Sequence, residues 1–168
     1  MKLLITGLKG TLAPKLAAAA TAAGHQVLGW DRQAVDPQQA DAARRWLNDA
    51  APDAIAHLAM GDAAWAALLA GHAAERGLPM VFTSTAMVFD HQPDGPHGLH
   101  DQRTAKDEYG RYKIGCEDAV AAAHAAASIV RIGWQIDPEA SGNNMLAALD
   151  DWQRREGRVA ASRAWRPA

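Results

Sequence analysis

The chain has one cysteine, Cys116, among its 168 residues, so an internal disulfide is excluded and a reducing compartment is expected. No apolar run approaches the ~18 residues that a membrane-spanning helix needs. The opening Met1-Lys2-Leu3-Leu4-Ile5-Thr6-Gly7 is too short an apolar stretch for a signal peptide and runs straight into glycine. Positive charge is not in excess. The formal net charge is -2, which argues against nucleic-acid and anionic-membrane partners. Aromatic residues make up only 6% of the chain, and Trp30, Trp46, Trp65, Trp134, Trp152 and Trp165 are scattered along it without a stacking stripe for nucleic acid. A cytoplasmic protein of one domain is expected, since this length leaves little room for a second core.

What is present is a regular alternation. Leu3-Leu4-Ile5 is a short buried-strand run that ends at Thr6-Gly7. Helix is predicted from about Thr11 to Ala23, stopped by Gly24, and a second strand over Gln26–Trp30. Pro37 opens a helix to about Asp49, Ala54–Leu58 is a third strand, and Asp62 caps a helix that ends at Gly77. Strand Met80–Thr83 leads into a loop dense in Gly, Pro and His at 90–107. Helix 108–126, strand 128–132, helix 143–155 and a short strand at 158–161 complete the pattern. The fold class is therefore α/β: a doubly wound parallel sheet of Rossmann type, helices on both faces, in a single domain. The alanine runs at 17–20, 121–123 and 125–127 reflect composition and close helix packing.

Three features carry chemistry. Gly7-Leu8-Lys9-Gly10-Thr11-Leu12-Ala13 sits between the first strand and the first helix. Gly7 suits a tight turn, Gly10 admits a pyrophosphate to the backbone, and Ala13 keeps the helix close to the sheet. The helix N-terminus adds free N–H groups. Asp31, about twenty residues on, favours the ribose hydroxyls of NAD, whereas Arg32 and Lys9 favour the 2′-phosphate of NADP; both choices stay open. Ser84-Thr85 places hydroxyls at the carboxyl end of the fourth strand. Tyr109 and Lys113, four residues apart on a predicted helix, share a face, and a cation beside the phenol is expected to lower its pKa towards the working range. His91, His97 and His100 fit no metal-ligand spacing and read as a solvated loop, and His57 and His72 as packing in strand and helix, so no metal site is expected.

Taken together, Thr6-Gly7-x-x-Gly10, Asp31-Arg32, Pro52-Asp53, Leu58-Ala59, Ser84-Thr85-x-x-Val88-Phe89-Asp90, Tyr109-Gly110-Arg111-x-Lys113, Gly115-Cys116-Glu117 and Arg131-Ile132-Gly133-Trp134 resemble the extended short-chain dehydrogenase/reductases. Within these the likeness is to the dTDP-4-dehydrorhamnose reductase group, also described as NAD-dependent epimerase/dehydratase proteins. The resemblance implies NAD or NADP as cofactor and a keto sugar nucleotide as small-molecule substrate. Its implied cofactor-binding residues are Gly7, Leu8, Lys9, Gly10, Thr11, Asp31, Arg32, Leu58, Ala59, Tyr109 and Lys113. Its implied catalytic set is Thr85, which orients the substrate oxygen, Tyr109 as proton donor, and Lys113, which tunes Tyr109 and bonds the nicotinamide ribose. It also implies a homodimer through the alanine-rich helix. Three departures stand out: Tyr112 occupies a place usually held by a small hydroxyl residue, the stretch 60–77 is shorter than its counterpart, and 136–168 reads as the remnant of a longer substrate-binding region. A dinucleotide-binding module or redox sensor without a substrate pocket is the competing expectation.

Overall fold

Five parallel strands form one sheet in the computed structural model, which describes residues 1–89, 95–133, 135 and 145–158. The elements run β1 (Lys2–Thr6), α1 (Ala13–Ala22), β2 (Gln26–Gly29), α2 (Ala40–Ala50), β3 (Ala54–His57), α3 (Ala63–Arg76), β4 (Met80–Thr85), a 3-10 turn (Ala86–Phe89), α4 (Glu108–Ala123), β5 (Ser128–Ile132) and α5 (Met145–Glu156). The sheet order is β2-β1-β3-β4-β5. In register, Leu4 of β1 stands between Leu28 of β2 and Ile55 of β3. This is a doubly wound order whose direction reverses between β1 and β3, and ligands of such sheets bind at the carboxyl ends of those strands.

The two faces carry separate cores because neighbouring residues of a strand point to opposite sides. Leu4, Ile55, Met80 and Phe82 pack with Ala43 and Leu47 of α2, Leu69 and Ala73 of α3, and Cys116 and Val120 of α4. Ile5 and Ala56 face the other way, against Ala13, Leu16 and Ala17 of α1. Three of the tryptophans expected to be scattered meet in space: Trp30 lies edge-on to Trp46 at 4.6 Å and to Trp65 at 5.5 Å, inside the larger core. Sequence separation had hidden this cluster, because each ring comes from a different element.

Element ends have local causes. Asp62 accepts the Trp65 N–H at 2.8 Å and Asp107 accepts the Gly110 N–H at 2.7 Å, so both act as helix N-caps. Helix α2 begins at Ala40 rather than near Pro37, because the Asp36 carboxylate accepts the Gln38 N–H at 3.0 Å and holds a turn there. Helix α4 stops at Ala123 instead of 126. His124 takes an extended conformation and its Nε2 lies 3.2 Å from the Leu78 carbonyl. The expected strand at 158–161 and the start of the tail helix at 143 fall outside the described residues, apart from Arg158, which lies in no regular element.

Helix α2 ends on Ala51 in the left-handed region, φ 43°, a conformation that costs an L-residue with a Cβ roughly 1 kcal/mol over glycine. Ala51→Gly is accordingly expected to raise the unfolding free energy by up to about 1 kcal/mol. The check is a higher urea midpoint at unchanged m-value.

Candidate functional site

The carboxyl ends of β1 and β3 are joined by one hydroxyl. Thr6 is fully buried, and its Oγ1 accepts the N–H groups of Leu58 and Ala59, each at 3.0 Å. Those two bonds occupy both lone pairs, so the hydroxyl proton points to His57 Nδ1, 2.8 Å away. His57 is therefore the Nε2–H tautomer and neutral. Burial, and then the charge of Lys113, push its pKa down to about 3. Gly7, φ +83°, follows at once, and a Cβ there would stand 3.0 Å from the backbone of Ala59. Only glycine allows the turn to pass so close to β3.

Beyond this turn lies a cavity of about 550 Å³, lined by Gly7, Gly10, Thr11, Leu58, Thr85, Tyr109 and Lys113 among others. Seven of the expected site residues thus share one space. Helix α1 starts there without a side-chain cap, and Thr11, Leu12 and Ala13 line the wall; Pro14 has no N–H and the Lys15 N–H bonds the Leu12 carbonyl at 3.1 Å, so the helix start offers only the N–H groups that precede Pro14. Gly10 turns back on Gly7 through a 2.8 Å hydrogen bond, and a Cβ on Gly10 would press to 3.1 Å from the Gly7 carbonyl. A pyrophosphate fits this cradle.

The other expected cofactor residues stand apart from the cavity. Leu8 lies over Gly29, where a Cβ would come within 2.5 Å of its Cδ1. Asp31 and Arg32 are exposed at the end of β2, with Asp31 accepting the Gln33 N–H at 2.9 Å and Arg32 reaching the Met60 carbonyl at 3.3 Å. Lys9 is exposed in the glycine turn, and Ala59 is buried behind it.

Helix α4 delivers the phenol and the ammonium. Gly110 is required between them and the 3-10 turn, since a Cβ there would stand 2.3 Å from that of Ala105 and 3.1 Å from the Met87 carbonyl. Lys113, 4% exposed, donates to the Thr83 carbonyl at 3.0 Å and lies over the rings of Phe82 and Tyr112. Burial lowers its pKa, against the raising influence of Cys116 and Glu117. Tyr109 departs from expectation. Burial raises its pKa, with the Thr85 hydroxyl pulling the other way. Burial, not the downward pull expected from Lys113, sets this phenol.

The hydroxyl-bearing end of β4 brings Ser84 to the cavity wall as well as Thr85, and Thr83, whose hydroxyl donates to the His57 carbonyl at 3.2 Å, stands beside them. Several residues of the site were not anticipated: Met87, Ile132 at the end of β5 and Gly133 after it, and Met145 and Ala148 of α5 also line the wall, and nothing local in the sequence marks α5. Behind the wall Glu117, 2% exposed, receives two hydrogen bonds from Arg131, 2.9 and 2.8 Å, and one from Arg103, 3.1 Å. Burial pushes this carboxyl up, but the guanidinium groups outweigh it and hold its pKa below the ordinary range. The loop expected to be merely solvated is tethered here as well. The N–H groups of Thr104 and Ala105 bond the Val88 carbonyl, and His97 stacks on Phe89 at 4.4 Å. His91 lies outside the described residues. Among the described residues no three His, Cys, Asp or Glu side chains gather as a metal ion would need, and no helix is long and apolar enough to cross a membrane.

A family model for the RmlD substrate binding domain matches residues 1–67 and 60–164. The chain belongs to the RmlD substrate binding domain family. Membership accounts for the ordered set of motifs from the glycine turn to Arg131. The RmlD-type fold is shared with solved structures. A dTDP-4-dehydrorhamnose reductase from Clostridium acetobutylicum superposes with a TM-score of 0.82 at 24% identity, over 92% of this chain and 60% of that one. A dTDP-4-dehydrorhamnose reductase from Bacillus anthracis, solved in complex with NADP, gives 0.78 at 22% identity over 91% and 60%. The Bordetella bronchiseptica enzyme WbmG, in complex with NAD and UDP, gives 0.77 at 18% over 95% and 61%. The chain thus spans about three fifths of the length of the structures it matches. No curated relative matches it by sequence.

The buried neutral imidazole has a consequence in acid. Its folded pKa is depressed below the unfolded value of 6.5, so its contribution to stability is full above pH 6.5 and is lost as pH falls towards 3. His57→Asn keeps an acceptor for Thr6 and removes the titration. Between pH 6 and 4 the wild type is expected to lose about 1.4 kcal/mol per pH unit relative to that variant, read from urea unfolding at each pH.

Proposed function

We propose that this chain forms the cofactor-binding and catalytic part of an NAD(P)-dependent oxidoreductase acting on a keto group, with a nucleotide-activated sugar as substrate class. One observation carries the reading: a single cavity joins the Gly7–Gly10 turn to Thr85, Tyr109 and Lys113. The complex of the Bacillus anthracis reductase with NADP, and that of WbmG with NAD and UDP, support the same cofactor and substrate class.

Each residue has a chemical part in this reading. The Gly7–Gly10 cradle and the first turn of α1 hold the pyrophosphate, and Asp31, Arg32 and Lys9 meet the adenosine end. A bound nicotinamide supplies the hydride. Thr85 orients the substrate oxygen, and Tyr109 donates a proton to it. The raised pKa of Tyr109 keeps the phenol protonated at neutral pH, as a donor must be. Lys113 retains further donors beside its bond to Thr83, and these face the cavity, where the nicotinamide ribose would lie. The competing reading, a dinucleotide-binding module without turnover, is favoured by the same raised pKa, since a phenol whose pKa burial has raised is a poor base for the reverse reaction.

Titration with NADH and NADPH, followed by tryptophan and nicotinamide fluorescence, is expected to saturate with at least one of them; no saturable signal with either would sink the reading. Tyr109→Phe is expected to keep that binding within about twofold and to lower turnover of a 4-keto sugar nucleotide by roughly 100-fold or more. Binding without turnover in the wild type, across keto sugar nucleotides, would establish the module instead.

A further inference from the structure

Tyr112, the neighbour of Lys113 on α4, sends its phenol away from the cavity to the connection between β3 and α3. Its hydroxyl donates to the Gly61 carbonyl at 2.5 Å and accepts from the Gly61 N–H at 3.1 Å. Both backbone polar groups of one residue are thus held by a single side chain 51 positions away. Gly61 is itself hemmed in, because a Cβ there would stand 2.3 Å from Cε3 of Trp65. Burial, with the bond to Gly61 pulling the other way, pushes the pKa of this phenol up to about 12.

The ring so fixed forms one side of the Lys113 pocket. The Lys113 Nζ lies 5.5 Å from the Tyr112 ring centroid, 5.0 Å from that of Phe82 and 3.0 Å from the Thr83 carbonyl. Two ring faces and a carbonyl therefore define where the ammonium stands. Tyr112 does not line the cavity, so the bulky side chain does not crowd it. A small hydroxyl residue at this position is too short to reach Gly61 from α4, and would leave one face of the ammonium open. The stretch after Met60 is short, with only Leu58 to Asp62 between β3 and α3, so it offers few contacts of its own to fix the lip of the cavity at Met60.

We propose that Tyr112 is a positioning residue: anchored through its hydroxyl to Gly61, its ring holds the Lys113 ammonium in place at the nicotinamide end of a bound dinucleotide. The inference rests on the dinucleotide site proposed above, and the test keeps the two apart. NADH (or NADPH, whichever the wild type binds) and ADP, which lacks the nicotinamide half, are titrated into wild type, Tyr112→Phe and Tyr112→Ser. Tyr112→Phe keeps the ring and loses both hydrogen bonds; the dinucleotide is expected to bind roughly fivefold more weakly, with ADP unchanged within about twofold. Tyr112→Ser, which also removes the ring, is expected to weaken the dinucleotide further at the same ADP affinity. Dinucleotide affinity unchanged in Tyr112→Phe overturns the proposal. So does ADP affinity falling in step with it, the mark of a general structural role. If Tyr112→Ser does not fold, Tyr112→Phe decides alone. Wild type that binds ADP but no dinucleotide, or neither, overturns the underlying site as well.

Discussion

A buried hydroxyl at the end of β1 has two lone pairs and one proton, and in Thr6 all three are committed. The rest of the site is built around that saturation. Because Oγ1 takes the N–H groups of Leu58 and Ala59, the chain leaving β3 must turn directly beside the glycine turn leaving β1. Because its proton goes to His57, the imidazole is fixed in one tautomer, and its ring packs against Trp65 and Phe82 rather than titrating. The connection from β3 to α3 then continues under the same regime. Arg32 bonds the Met60 carbonyl, Tyr112 takes both polar groups of Gly61, and Asp62 caps the helix that follows. Five consecutive residues are held by β1, the end of β2, α4 and their own helix. Such pre-set geometry is what a cofactor site needs, since positions fixed before binding do not have to be ordered by it.

The charges of α4 follow a second logic. Lys113 and Glu117 lie one turn apart on its buried side, and each is compensated differently. Glu117 has two guanidinium partners, so burial does not neutralise it. Lys113 has a carbonyl and two ring faces and, among the described residues, no carboxylate in direct contact, so burial weakens its hold on a proton. An ammonium kept in that condition is under-compensated at one end, the end that lines the cavity. It is a better partner for an incoming hydroxyl than one already locked in an ion pair.

Much of this was legible in the sequence, for identifiable reasons. Strand–helix alternation, the stops at Gly24 and Gly77 and the cap at Asp62 are local signals, and each sits where it was expected. The glycine turn was legible because its chemistry resides in residues of one short segment. Tyr109 and Lys113 were placed correctly on one helix, yet the pKa direction of the phenol was not, because spacing says nothing about how deeply the fold buries the ring. Tyr112 was visible only as an anomaly. Its explanation lies 51 residues away in a connection whose shortness matters only once the fold brings it to α4. The tryptophan cluster was missed for the same reason: three rings from the end of β2, from α2 and from α3 converge only in three dimensions.

The topology itself explains why these distant parts meet. The step from β1 to β2 runs one way across the sheet, and the steps from β2 to β3, β3 to β4 and β4 to β5 run the other way. Right-handed crossovers then put α1 on one face and α2, α3 and α4 on the opposite one, as the two separate cores record. On the α1 face Val81 and Val130 remain 39% and 42% exposed on the strands beyond it. The uncapped start of α1 and the first turns of α4 therefore reach the same carboxyl edge from opposite sides of the sheet, one offering backbone N–H groups and the other a phenol and an ammonium. Neither helix can contact the other through the sheet, so a ligand spanning both must lie across the strand ends. Thr6, Gly7, Thr83 and Thr85 occupy those ends, which makes the edge of the sheet the shared floor between an anion-binding helix start and a proton-donating one.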